Sequence, residues 1–152
     1  MSANRPLYET RANLEQEAQV AAVIARKWNC VPIKLPIKYS LDYAMTRGQT
    51  IVSFCEFKTR SKTMAEIASL GGYLINLDKW LNAQHMSKAT GLPFTLVVQT
   101  RDKKIWYSVF KDDFSVLTSL YRGRTDRNDA QDISPCVLIS TDVFKLLEET
   151  SA

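Results

Sequence analysis

The chain has 152 residues, 45% of them apolar and 24% charged, a length and balance that fit one folded domain and exclude a disordered chain. No apolar run approaches the roughly 18 residues of a membrane span, and Met1 to Pro6 lacks the apolar core of a secretory signal, so a cytoplasmic protein is expected. The net charge of +4 is unevenly spread: residues 1–62 hold 10 Lys/Arg against 5 Asp/Glu, and the remainder 10 against 11. Basic surface of this kind suits a polyanionic partner, although solubilising lysines would give the same count.

In chain order, Tyr8 to Trp28 predicts an amphipathic helix with Leu14, Ala18, Ala21, Ala22, Ala25 and Trp28 at three- and four-residue steps. Glu17 falls at the edge of that stripe, in line with Ala21, Ile24 and Trp28, and Glu15 on a more solvated face. Val31 to Tyr39 contains two prolines and predicts an edge strand. Ser40–Thr46 and Thr50–Lys58 then flank Arg47-Gly48-Gln49, which reads as a three-residue hairpin connection. Pairing Thr46 with Thr50 sets Asp42 opposite Phe54 and diagonal to Glu56, about 7–8 Å away. A two-residue loop would turn Asp42 to the other face.

Thr59–Leu70 is polar and weakly helical, up to Gly71-Gly72. Asn76 is a candidate N-cap for a helix to about Ala89, stopped by Gly91 and Pro93, with Leu77, Trp80, Leu81 and Met86 facing inward. Phe94–Thr100 and Lys104–Phe110 read as strands joined at Arg101-Asp102-Lys103. Asp112 is a candidate cap for a short helix through Leu120. Tyr121–Asp132 reads as a mobile loop whose Arg122, Arg124 and Arg127 alternate with aspartates. Cys136–Ser140 predicts a short buried strand, and Thr141 the start of a terminal helix. The expected fold class is α/β, a mixed central sheet flanked by helices, in one domain over residues 1–152 with its core at about 8–110 and a C-terminal extension at 111–152.

Thr50 to Lys58 is apolar apart from a charged pair. Strand side chains alternate, so Glu56 and Lys58 share one face while Phe57 points to the other. Charged residues are rarely buried unless paired, and the pair is either a cross-strand ion pair at a sheet edge or part of a site. With Asp42 it would make two carboxylates and an amine, a set that can hold a divalent cation and hydrolyse a phosphodiester. Asp42 and Glu56 would be metal ligands with the backbone carbonyl of Phe57, and Glu17 could add a ligand from the first helix. Lys58 would orient the attacking water and offset developing charge. Arg60 and Lys62 follow the strand, where they either contact phosphates or are ordinary loop charge. His85 is the sole histidine, which excludes chemistry needing two. Cys30, Cys55 and Cys136, an odd number at wide spacings, read as reduced core thiols.

Ser40-Leu41-Asp42-Tyr43, the hairpin, and Cys55-Glu56-Phe57-Lys58-Thr59-Arg60 together resemble the PD-(D/E)xK nuclease superfamily, which has a restriction-endonuclease-like fold. From Glu17 to about Thr100 the order of elements is similar to that family's αβββαβ core, most like small phage-type and Holliday-junction-resolvase-like members. The resemblance implies Asp42 and Glu56 as metal ligands, Lys58 as the catalytic lysine and Glu17 as an accessory helix acid. Leu41 stands where the motif has proline. The later helix lacks an obvious glutamine, and Lys79 in its first turn could take that place near the phosphate. The expected activity is a Mg²⁺-dependent DNA endonuclease, with Mn²⁺ as a substitute and a homodimer suited to cutting both strands. Its expected location is the host cytoplasm if the chain is phage-encoded. The alternative is a catalytically silent module of the same fold that binds nucleic acid or a protein.

Overall fold

The computed structural model describes residues 11–35, 43–110, 118–122 and 134–149. Helix α1 spans Arg11–Trp28 and turns Val20 and Ile24 fully inward. Trp28, Ala21 and Ala25 are half-buried, but Leu14, Ala18 and Ala22 of the predicted stripe are exposed. The larger β-branched side chains gain more from burial than alanine methyls, so they set the inward face. Asn29 ends the helix in the left-handed region at φ 49°, and the Cys30 amide reaches back to the Ala25 carbonyl.

Strands β1 (Val31–Lys34), β2 (Tyr43–Arg47) and β3 (Thr50–Thr59) form an antiparallel meander with β1 at the sheet edge. The hairpin register differs from the expected one. Arg47 pairs with Thr50 and Thr46 with Ile51, so only Gly48 (φ 63°) and Gln49 connect the strands. Between Met45 and Thr46 the ladder shifts, leaving Val52 as an extra residue, and beyond it Ala44 pairs with Phe54 and Tyr43 with Cys55. A bulge of this kind reverses the change of face that the shorter loop introduces. Even-numbered residues of β2 and β3 therefore share a face near the Glu56 end.

After β3 comes α2 (Met64–Ser69), started by a capping box between Thr63 and Glu66. Strand β4 (Tyr73–Asn76) follows, an element not anticipated above, and leads straight into α3 (Leu77–Thr90). Asn76 caps α3 by accepting from the Asp78 amide, and Gly91 closes it at φ 72°, as expected. Trp80 and Ala83 are the buried residues of α3, while Leu81 is exposed. Strand β5 (Phe94–Gln99) runs parallel to β3, and β6 (Lys104–Phe110) antiparallel to β5.

The C-terminal region departs further from expectation. Thr118–Arg122 is strand β7, so Thr118 to Leu120 are not helical; Asp112, Arg124 and Arg127 lie outside the described residues. Strand β8 (Ser134–Ile139) matches the expected buried strand. Thr141 opens only a single 3-10 turn, after which Lys145–Glu149 forms strand β9. Pairing with β6 outweighs the helix-favouring composition of this segment.

The result is a mixed six-stranded sheet in the order β1-β2-β3-β5-β6-β9, mostly antiparallel and flanked by helices, with a three-stranded sheet β4-β8-β7. On one face α1 packs over Tyr43, Met45, Cys55, Phe57, Val97 and Ile105. On the other, α2, α3 and the smaller sheet cover Ala44, Phe54, Phe94, Leu96, Val98 and Phe110. All three cysteines are buried and unbridged.

Candidate active site

Glu56 lies in the middle of the large sheet, between β2 and β5, and is only 1% exposed. Strand alternation sends it to the face covered by α3, while Phe57 stacks on Tyr43 on the α1 side, ring centroids 4.3 Å apart. Lys58, half out of the protein, returns to the Glu56 face and places Nζ 3.0 Å from Glu56 Oε1. Lys79 arrives from the first turn of α3 and places Nζ 2.8 Å from Oε2. One buried carboxylate is thus held between two ammonium groups from two elements. A cation in a helix's first turn opposes the macrodipole, and the Glu56 charge offsets that cost for Lys79. Burial pushes the Glu56 carboxyl up, but the charges of Lys58 and Lys79 outweigh it and hold the group below the usual carboxylate range.

These side chains line a cavity of about 200 Å³ together with Arg60, Tyr73 and Asn76. The Arg60 guanidinium lies over the Tyr73 ring, 5.0 Å from its centroid. Three cations therefore surround one carboxylate, which makes the cavity attractive to an anion such as a phosphate. Tyr73 could not be singled out from sequence, because β4 is only four residues long and abuts a helix. The apolar Tyr73-Leu74-Ile75 run after the Gly71-Gly72 break was the available signal.

Other candidate residues are placed elsewhere. Glu17 accepts from the Tyr43 hydroxyl at 2.9 Å and from Lys34 Nζ at 3.1 Å, on the α1 side of the sheet and across it from Glu56. Glu15 is exposed. Lys62 is also exposed; its carbonyl accepts from the Arg101 amide, and its side chain does not line the cavity. Asp42 lies outside the described residues. Among the described residues no three His, Cys, Asp or Glu side chains gather closely enough to hold a metal ion. Among the described residues, Glu56 alone supplies a hard carboxylate donor to the cavity, of the type magnesium and manganese accept. Its present partners are two long, flexible ammonium chains able to give way to a cation.

Fold and motif together define a PD-(D/E)xK-type nuclease scaffold. The sequence profile of the family described as "Phage putative PDDEXK endonuclease" matches residues 3–147, nearly the whole chain, and the protein belongs to that phage endonuclease family. Nucleases of this superfamily generally use divalent metals. No curated protein matches the sequence. Among solved structures, the Holliday junction resolvase Hjc of the archaeal hyperthermophile Archaeoglobus fulgidus is similar with a TM-score of 0.44 and 12% identity, over 80% of this chain and 88% of that one. No helix among the described residues is long and apolar enough to cross a membrane.

Proposed function

We propose that the protein is a divalent-metal-dependent endonuclease acting on DNA, with its reaction centre at Glu56 and Lys58. The observation that carries this reading is the buried Glu56 carboxylate clamped by Lys58 and Lys79 at the wall of a cation-rich cavity. Desolvating buried charges costs about as much as their mutual attraction returns, so the cluster is weak as a stability device. Asp42 joins the reading from the sequence motif, as the residue before Tyr43, which pairs with Cys55 beside Glu56. Glu17, held by Tyr43 and Lys34 on the α1 side of the sheet, has no part in this centre.

In this mechanism Asp42, Glu56 and the Phe57 carbonyl would hold Mg²⁺, with Mn²⁺ as a substitute. A bound divalent cation supplies charge stabilisation at the scissile phosphate and a nucleophile at neutral pH. Lys58, released from Glu56, orients the attacking water and offsets the charge that grows on the phosphate oxygens. Lys79 and Arg60 draw the phosphate into the cavity, and Lys62 extends the positive surface beyond the strand. A two-fold dimer would let two such centres cut both strands, and the host cytoplasm is the setting for a phage enzyme of this kind.

The test is cleavage of supercoiled and branched DNA with Mg²⁺ or Mn²⁺ by the wild type, Lys58→Ala and Glu56→Gln proteins. Metal-dependent cleavage lost in both variants, with folding retained in Lys58→Ala, is the expected result. A folded wild type that binds DNA yet cuts nothing with any metal would favour the silent-module reading instead.

A further inference from the structure

Tyr73 is 2% exposed, and its hydroxyl has no hydrogen-bond partner. Such a group destabilises a fold, and phenylalanine would fill the same space without that cost. Ser87 and Ser108 also bury unpartnered hydroxyls, but neither lines the cavity beside Glu56, whereas Tyr73 does. The charges that act on its phenol are those of Arg60, Lys58 and Glu56, the walls of that cavity.

The ring is held firmly. Phe144 packs against it at 5.3 Å between centroids, and the Arg60 guanidinium lies over its face, close enough to act weakly on the hydroxyl but outside hydrogen-bond geometry. Strand β4 is fixed in turn by pairing with β8, where Tyr73 stands opposite the fully buried Ile139. The fold therefore presents one rigid, unsatisfied donor to a cavity already lined by three cations. A rigid donor loses little conformational freedom when it meets a ligand, which favours a binding role.

We propose that the Tyr73 hydroxyl is a substrate-binding group of this site, donating a hydrogen bond to a non-bridging oxygen of the phosphodiester that Lys79 and Arg60 attract into the cavity. The inference rests on the nuclease reading only for the identity of the anion. Burial pushes the phenol's pKa up, so the hydroxyl keeps its proton and remains a donor at neutral and mildly alkaline pH. The smaller sheet thus contributes to chemistry as well as covering the core.

The test compares wild type with Tyr73→Phe, which keeps the ring and removes only the oxygen. Inorganic phosphate binding is followed by calorimetry, thermal midpoint by calorimetric scan, and KM and kcat on a DNA duplex where cleavage occurs. The expected result is phosphate affinity weakened roughly 10-fold, as for loss of one hydrogen bond to a charged group, with an unchanged or higher thermal midpoint and a raised KM. Unchanged phosphate binding in Tyr73→Phe overturns the proposal, as does absence of phosphate binding in the wild type. A lowered thermal midpoint also overturns it, by assigning the hydroxyl to the fold. A wild type that binds phosphate through Tyr73 but never cuts DNA would sink the nuclease reading and leave this inference standing.

Discussion

Replacing Lys79 with methionine isolates the less exposed of the two clamps on Glu56. Methionine keeps most of the side chain's length and apolar stem while removing the ammonium 2.8 Å from Oε2. Stranding a buried charge by removing its partner typically costs about 3–5 kcal/mol. Lys58 still holds Oε1 at 3.0 Å, and Lys79 is 23% exposed, so part of that cost is screened or retained. A loss of about 2 kcal/mol is therefore expected, or a fall of roughly 4–8 °C in melting temperature for a domain of this size. The sign with pH follows from the depressed carboxyl. Its contribution is present above the unfolded value of about 4.5 and is lost as pH falls through the lower folded value. The gap between wild type and Lys79→Met in urea unfolding should then be full at pH 7 and shrink below about pH 4.5. It should also largely vanish in a Glu56→Gln background, where no buried charge remains to be stranded. Equal stability of Lys79→Met and wild type at pH 7, or a cost that persists undiminished with Glu56→Gln, would refute the clamp.

Other outcomes follow from the same geometry. Lys58→Ala should slow metal-dependent cleavage by roughly 100-fold or more while moving the melting temperature little, because Lys58 is 42% exposed and Lys79 keeps Glu56 paired. Glu56→Gln should abolish cleavage and weaken Mn²⁺ binding in a calorimetric titration, since the amide cannot supply the anionic oxygen. Gly48→Val should cost about 1–2 kcal/mol in urea unfolding, because its φ of 63° crowds any Cβ, without changing KM for DNA. Arg60→Leu should raise KM more than it lowers kcat, and should reduce the salt dependence of DNA binding measured by anisotropy.

The placement of Glu56 beside Lys58 was legible in the sequence because strand geometry leaves few choices. Once Thr50–Lys58 is read as a strand, Glu56 and Lys58 must share a face and Phe57 must oppose them. Helix α3 was equally readable, since Asn76 and Gly91 mark its ends by local capping chemistry. The hairpin was not. A bulge at Val52 and a two-residue turn together mimic the parity of a three-residue turn, and no residue type announces that combination. Strand β4 was lost beside a helix cap that used the same Asn76. Strand β9 was misread because Lys145-Leu146-Leu147-Glu148-Glu149 has good helix formers, whereas its state is decided by a distant edge at β6. The inward face of α1 erred for a simpler reason: alanines fit the periodicity, but Val20 and Ile24 carried the apolar area.

The nuclease reading fixes where a divalent cation would sit. Crystals grown with Mn²⁺ and measured at its absorption edge would show this directly through an anomalous difference peak. The expected peak is bonded to carboxylate oxygens of both Asp42 and Glu56, with Lys58 drawn off Oε1 toward solvent. A peak at another site, or Glu56 still gripped by both lysines with Mn²⁺ in excess, would contradict it.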